Sequence, residues 1–325
     1  MPTFITGACG FVGLALAEHL LARGESVVAF DRASPPPAAW KAFAALPGEF
    51  VMAPGDVTDA AALLDAMQRH RPRRLVTLAA ITADAVREKA APAAIAAVNI
   101  GGTWNAIAAA ALCGVQRVVH GSSGSVYGAS GAGPAPLHET LTPQRPEGLY
   151  GISKQAAEAG ALRLAALHGL DLTVGRIGTC FGPYEGGSDV RDTPSALLQV
   201  LRRAESGGAV RLPRAGRRDW LYVRDAAAAL AALLDSPRPP RPVYNLAAGF
   251  EWSVADWCGR IGDAAFPGLD WRIAAPGEPS DIHYYADYDR ASMDITALRA
   301  DTGFTPRFDL PAAADDFLAW RRNFS

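Results

Sequence analysis

The chain has 325 residues, half of them hydrophobic and a fifth charged, with a formal net charge of −2. That length can bury a large core in one large domain or two, and the near-neutral balance argues against the basic face of a nucleic-acid binder. Four cysteines without C-x-x-C pairing and six unclustered histidines argue against a metal site and suit a reducing, cytoplasmic setting.

In chain order, residues 3–6 form a strand-like run with no basic segment and long apolar stretch of a secretion signal. Residues 11–23 form an apolar-periodic helix closed by Gly24, and 26–30 a β-branched run ending at Asp31. The Pro-rich segment from Ser34 to Pro37 opens an irregular loop. Further strands are predicted at 50–52, 75–79, 115–120 and 172–177, with helices between them. No run reaches the ~18 apolar residues of a membrane span, since the alanine-rich stretch 85–113 is broken by Arg87, Glu88, Lys89, Pro92 and Asn99. This alternation predicts an α/β fold with a Rossmann-type, doubly wound parallel sheet. From about Gly182 the alternation fades. The expected division is a nucleotide-binding Rossmann domain over 1–181 and a smaller α+β substrate region over 182–325, with 242–247 returning to the main sheet.

Gly7-Ala8-Cys9-Gly10-Phe11-Val12-Gly13 follows the first strand and opens the first helix. Such glycines permit a tight turn and close approach of backbone to a pyrophosphate, while the helix N-terminus supplies amide donors and a favourable dipole. Gly7, Gly10, Phe11, Val12 and Gly13 are therefore expected to touch a dinucleotide. Asp31 is placed to accept hydrogen bonds from a ribose 2′-hydroxyl and to repel a 2′-phosphate, so NAD is expected over NADP. Arg32 beside it is a guanidinium able to bind that phosphate. Some NADP use therefore stays open, although a solvent-facing loop position is expected for Arg32.

Tyr150-Gly151-Ile152-Ser153-Lys154 sets a phenol and an ammonium on one helix face. Tyrosine titrates near ~10, so a neighbouring ammonium is needed to favour its phenolate. Upstream, Gly121-Ser122-Ser123-Gly124-Ser125-Val126-Tyr127-Gly128 follows an apolar strand.

The glycine loop, the aspartate ending the second strand and the Tyr-x-x-x-Lys pair together resemble the extended short-chain dehydrogenase/reductase superfamily, the NAD-dependent epimerase/dehydratase family within it. Its best-known branch is the nucleotide-sugar epimerases and dehydratases. The resemblance runs through nearly the whole chain. Gly55-Asp56-Val57-Thr58-Asp59 looks like the adenine-contacting segment, with Asp56 and Val57 at the contacting positions. Leu78-Ala79-Ala80 looks like the strand beside the cofactor, with Leu78 where many members carry histidine. The segment 98–103 resembles the family's asparagine motif and implies a cofactor-side role for Asn99.

In the family pattern the catalytic hydroxyl lies four residues before the first tyrosine, which selects Ser123. The resemblance implies that Ser123 hydrogen-bonds the reacting oxygen and that Tyr150 removes or returns its proton while hydride moves to or from the nicotinamide. It implies that Lys154 binds the nicotinamide ribose and lowers the tyrosine pKa. Ser122 and Ser125 read as turn hydroxyls satisfying local backbone, with Ser125 also a substrate-side candidate. Tyr127 reads as structural or a pocket wall, and His138-Glu139 as a solvated loop pair.

The segment 218–225 resembles one whose leading arginine contacts the diphosphate in nucleotide-sugar enzymes, so Arg218 is a substrate-side candidate. Asp225 is expected to cap the alanine-rich helix that follows. Two anchors differ. Thr179 stands where the family commonly has an asparagine, and Glu278 falls near a phosphate-gripping arginine, where it would repel a diphosphate. Residues 176–181 also resemble a segment of uronate dehydrogenases, in which a downstream arginine binds a sugar carboxylate; Arg191 lies near that spacing.

The expected function is NAD-dependent hydride transfer at a secondary alcohol of a sugar or sugar derivative. Two outcomes share that step: a nucleotide-sugar 4-epimerase that recycles NAD, or a net dehydrogenase of a small sugar acid or polyol. A dehydratase is disfavoured, because Gly124-Ser125 lacks the Asp-Glu pair of such relatives. A catalytically silent NAD-binding regulator is opposed by intact Ser123, Tyr150 and Lys154. The expected partner is a small carbohydrate, with no nucleic acid or membrane, in a homodimer formed through helices within 85–113 and 150–168.

Overall fold

The computed structural model describes residues 2–186, 190–236 and 238–324. Strand β1 (Thr3–Thr6), helix α1 (Phe11–Ala22), β2 (Ser26–Asp31), α2 (Pro37–Phe43), β3 (Glu49–Pro54), α3 (Ala60–His70) and β4 (Arg74–Thr77) alternate. Next come α4 (Ala85–Ala90), α5 (Pro92–Ala96), a π-helical turn (Ala97–Gly102), α6 (Thr103–Leu112), β5 (Arg117–Ser123), α7 (Leu149–His168) and β6 (Leu172–Ile177). The remainder holds β7 (Thr179–Phe181), α8 (Ala196–Glu205), β8 (Val210–Leu212), β9 (Arg217–Arg218), β10 (Trp220–Tyr222) and α9 (Val223–Asp235). It closes with β11 (Val243–Leu246), β12 (Trp252–Ser253), α10 (Val254–Ala264), β13 (Trp271–Ile273), α11 (Thr296–Thr302) and α12 (Leu310–Phe324).

Seven strands make one sheet in the order β11-β6-β5-β4-β1-β2-β3, parallel throughout. β11 thus returns to the sheet beside β6, with Val243 opposite Val174. Successive strand residues feed opposite faces. Ile5, Val27, Ala29 and Val76 pack with α1 and α9, while Phe4, Val28, Phe30 and Leu75 pack with α3, α6 and α7. Burial on both faces explains why these strands read as continuous apolar runs. Each fully buried Leu, Ile or Phe contributes roughly 1.5–3 kcal/mol.

The chain runs outward from β1 to β2 and β3, then crosses back to β4 on the other side of β1. A crevice opens at such a reversal, outside the carboxyl ends of the strands. Register aligns Thr6 with both Phe30 and Thr77, and Thr77 with His120. Gly7, Asp31, Leu78 and Ser123 therefore emerge along one edge. The distal region is built from short pairs, β7 with β10, β8 with β13 and β9 with β12. An aromatic cluster supports it, with the Phe181 ring 5.2 Å from Tyr222, 5.5 Å from Trp252 and 5.6 Å from Trp257.

Several expectations change. Residues 37–43 are helical because Pro37 sits in the first turn, where its missing N–H costs nothing. Asp225 does not cap α9, whose N-cap is Tyr222; its buried carboxylate accepts the amides of Arg307 and Phe308 at 3.0 Å. The stretch Pro92–Leu112 is one continuous 21-residue helix of mean hydropathy 1.4, long and apolar enough to cross a membrane. Its Ala106, Ile107 and Ala110 are fully buried, and α6 packs against α3 and α7.

Candidate active site

The glycine loop leaves β1 with Gly7 at φ +71°, its amide donating to the Phe30 carbonyl at 3.0 Å. A Cβ on Gly7 would lie 2.5 Å from the Ala79 nitrogen, and one on Gly13 would lie 2.2 Å from the Gly7 oxygen. Only glycine fits either place. Gly10 begins α1 without any side-chain cap. The first intrahelical bond is Leu14 N–H to the Gly10 carbonyl, so the amides of Phe11, Val12 and Gly13 are available to an anion.

At the end of β2, the Asp31 carboxylate accepts Cys9 N–H at 2.9 Å and Ala33 N–H at 3.0 Å. Arg32 points toward Asp56 at 3.5 Å with a side chain 59% exposed. Asp56 also accepts the amide and hydroxyl of Thr58, each at 2.8 Å. Val57 packs beside Gly102, where a Cβ would stand 2.4 Å from its methyl. Leu78 and Ala80 line the cleft, and Ala79 presents its backbone to Gly7. The Asn99 side chain is fully enclosed, accepting Ile81 N–H at 2.7 Å and donating to the Ile81 carbonyl at 3.0 Å and the Ser153 hydroxyl at 2.9 Å. It ties the loop after β4 to α7.

Tyr150 lies in the first turn of α7, which Gly148 caps with backbone alone while Glu88 accepts Leu149 N–H at 2.6 Å. Tyr150 shares the cleft wall with Ser123, at the end of β5, and with Thr82. Enclosure pushes the phenol up from its ordinary value; Ser123 and the Arg191 charge oppose this. Ser123 Oγ accepts Ser125 N–H at 3.1 Å, and Ser125 lines the cleft. Lys154, one turn after Tyr150, is 3% exposed and donates to the Gly121 carbonyl. Burial pushes its ammonium down to about 8, against the pull of Glu158. Below it, buried His120 shares a 2.8 Å hydrogen bond with Thr77, and its other ring nitrogen has no partner among the described residues. Burial and the Lys154 charge hold that imidazole neutral.

Ser122, expected in a turn, is in β5 and donates to Glu158 at 2.9 Å. Glu139, expected in solvent, is buried and accepts Asn245 N–H at 2.9 Å. Tyr127 is fully buried between Asn245 and Arg176. The burial of Glu139 is not visible in the Pro/Gly-rich loop that carries it, whereas Tyr127 takes the structural place expected of it.

The Gly7 loop, Leu78, Ala80, Ser123, Tyr150 and Lys154 share one cleft of ≈ 870 Å³. At its distal end Arg218 donates to Thr179 Oγ1 at 3.0 Å and lies over the Trp220 ring at 5.5 Å. Burial and the neighbouring charge of Arg290 push the Arg218 guanidinium down to about 10. Arg191 also lines the cleft, but Glu185 sits 3.3 Å from it and it donates to the Tyr285 hydroxyl at 2.8 Å. Its charge is already answered. Glu278 takes no part: it is absent from the cleft wall and accepts both terminal nitrogens of Arg272. Thr82, Tyr285 and Arg290 carry no local motif, and sequence reasoning missed them. No cluster of potential metal ligands is present among the described residues.

The chain is 29% identical over its whole length to UDP-glucose 4-epimerase of Mycolicibacterium smegmatis, covering all of that protein. It is 27% identical to dTDP-glucose 4,6-dehydratase of Streptomyces antibioticus, over 99% of this chain and 93% of that one. Among solved structures, MoeE5 in complex with UDP-glucose and NAD superposes with a TM-score of 0.78 at 26% identity, over 100% of both chains. Residues 3–247 match the model of one family, and on that match the chain belongs to the NAD-dependent epimerase/dehydratase family.

Proposed function

We propose that this chain is an NAD-dependent enzyme that transfers hydride at a secondary alcohol of a sugar, with Ser123, Tyr150 and Lys154 as catalytic residues. The observation that carries the reading is that Ser123, Tyr150 and Lys154, the last two one helical turn apart, line one cleft together with the Gly7 loop. NAD, when bound, supplies the hydride acceptor. The free amides of Phe11, Val12 and Gly13 suit its pyrophosphate, and the anchored Asp31 carboxylate suits its ribose hydroxyls. Asp56 and Val57 would lie toward its adenine, and Leu78, Ala79 and Ala80 beside its nicotinamide half.

Ser123 holds the oxygen of the reacting carbon, and Tyr150 removes the hydroxyl proton. Lys154 remains largely charged at neutral pH and favours the phenolate. Thr82 shares the cleft wall with the phenol. Asn99 supports this set from behind, through Ser153 on α7. Thr179 and Arg218 face the substrate side, and Ser125 lies beside them.

The test is turnover of wild type and Tyr150→Phe on a panel of free sugars, sugar acids and nucleotide sugars, read as NADH absorbance together with product analysis. Stoichiometric NADH would identify a dehydrogenase, and an isomer without net NADH an epimerase. A Tyr150→Phe protein as active as wild type would end the reading.

The outer faces of α6 and α7 support a homodimer. Trp104, Leu112, Ile152 and Leu167 are 40%, 75%, 45% and 59% exposed there. The four free cysteines are in keeping with a reducing, cytoplasmic compartment.

A further inference from the structure

His120 interrupts the apolar run of β5, after Val118 and Val119, and only 1% of it is exposed. Alternation along the strand places it on the face of Val118 and Ser122. That face carries α7, since Val118 packs with Ala161 and Ala165, and Ser122 donates to Glu158. Lys154, on the same helix, donates to the carbonyl of Gly121, the residue next to His120. An ammonium has three N–H donors, and the Gly121 carbonyl takes one of them.

The ring is anchored at one nitrogen. Nδ1 shares a 2.8 Å hydrogen bond with the hydroxyl of Thr77, its register partner on β4. Nε2 is buried and has no partner among the described residues. Such a bare atom is uncommon, because the large majority of buried side-chain polar atoms are paired. The two neutral tautomers differ in what stands there. With the proton on Nε2, an unpaired N–H would lie in the field of the Lys154 charge, which acts on this ring. With the proton on Nδ1, donated to Thr77, Nε2 offers that charge a lone pair instead. Coulomb attraction favours the second arrangement.

The other titratable groups beside Lys154 are committed elsewhere. Glu158, four residues on, is held by Arg176 of β6 at 2.6 and 3.1 Å and by Ser122 at 2.9 Å. Tyr150, four residues before, lines the cleft with Ser123.

We infer that His120 is a positioning residue for Lys154: Thr77 fixes the ring with its proton on Nδ1, and the bare Nε2 serves the ammonium as a neutral acceptor behind Gly121. In this structure the ammonium rests on the Gly121 carbonyl, and Nε2 is the second acceptor, open to one of its two remaining donors. The ring does not take the lysine's proton, since burial and the Lys154 charge keep it neutral. Its effect falls on the lysine, whose charged form a nearby acceptor stabilises. This role rests on the proposed hydride-transfer site, which gives Lys154 its task.

The chain has three lysines, Lys41, Lys89 and Lys154, and six histidines. Nitrogen NMR of the full chain, labelled in these two residue types, therefore reads both groups. The Lys154 signal is the one lost in Lys154→Met, and the His120 signals are those lost in His120→Phe. In wild type the ring is expected to carry its proton on Nδ1, with Nε2 bare, at neutral pH. Lys154 is expected to titrate at about 8 in wild type. In His120→Phe it is expected to titrate about one unit lower, a tenfold weaker hold on its proton. His120→Gln, whose side-chain carbonyl accepts in place of Nε2, is expected to recover part of that shift. Loss of packing alone would lower the denaturant midpoint and leave the Lys154 titration in place. A wild-type ring protonated on Nε2, a Lys154 value in His120→Phe equal to or above wild type, or a His120→Gln protein shifted as far as His120→Phe would each overturn the inference. The wild-type tautomer is read without the variants, so a substitution that misfolds leaves the test intact. Neither measurement uses turnover, so a fully active Tyr150→Phe protein would count against the hydride-transfer reading alone.

Discussion

Glu158 stands one helical turn beyond Lys154 on α7, yet its carboxylate belongs to Arg176, which reaches it at 2.6 Å and 3.1 Å. Ser122 adds a third bond at 2.9 Å. Lys154 is left with the Gly121 carbonyl as its acceptor. Burial then dominates and brings its ammonium to about 8. The cation whose counter-charge is withheld lies one helical turn from Tyr150.

That withholding has a stability consequence. Lys154 titrates at its ordinary 10.5 when unfolded and at about 8 when folded, so between those values the unfolded chain binds more protons. Stability from this group is therefore full above the unfolded value and is lost as pH falls through the folded one. The difference corresponds to about 3 kcal/mol. Lys154→Met is expected to be more stable than wild type near neutrality and to lose that advantage as pH rises toward 10.5. Urea unfolding of both proteins across this range checks it.

The Glu158–Arg176 pair is buried, with side chains 5% and 2% exposed. Removing one partner leaves the other charge uncompensated, so Glu158→Ala is expected to cost about 3–5 kcal/mol. The double variant Glu158→Leu, Arg176→Met is expected to lose less than Glu158→Ala, because no lone charge remains. Denaturant midpoints of the three proteins decide this.

Asp31 is held by two backbone amides with its carboxylate at the end of β2. Loss of charged hydrogen bonds costs about 1.5–3 kcal/mol. Asp31→Asn is therefore expected to bind NAD roughly 10–100-fold more weakly. NADP should suffer less, since the repulsion of its 2′-phosphate goes too and Arg32 is near. Titration with both dinucleotides measures the ratio.

The exposed apolar side chains of α6 and α7 predict self-association. Sedimentation should show twice the single-chain mass for wild type and the single-chain mass for an Ile152→Asp, Leu167→Asp variant. A monomeric wild type would remove the proposed dimer.

Much of this site is readable from local sequence. The Gly7 loop, Asp31 and the Tyr150–Lys154 pair lie in short segments whose turn chemistry and helix spacing act over a few neighbours. The failures share one physical cause. Asp225 reads as a cap from its place before an alanine run, but its partners are the amides of Arg307 and Phe308. Glu139 reads as solvated in its loop, yet Asn245 on β11 buries it. Glu278 reads as a repulsive charge near phosphate, yet Arg272 claims it outside the cleft.

By itself the sequence determined the strand-helix alternation, the glycine loop after β1 and the placing of Tyr150 and Lys154 on one helix, because backbone propensity and side-chain periodicity are properties of contiguous residues. Tertiary structure alone decided which charges are answered. Glu185 neutralises Arg191 and Arg176 takes Glu158, while Arg218 and Arg290 meet at one end of the cleft with neither paired to a carboxylate among the described residues. Charge compensation depends on distances between remote segments, and those distances exist only once the sheet and the distal strands have packed.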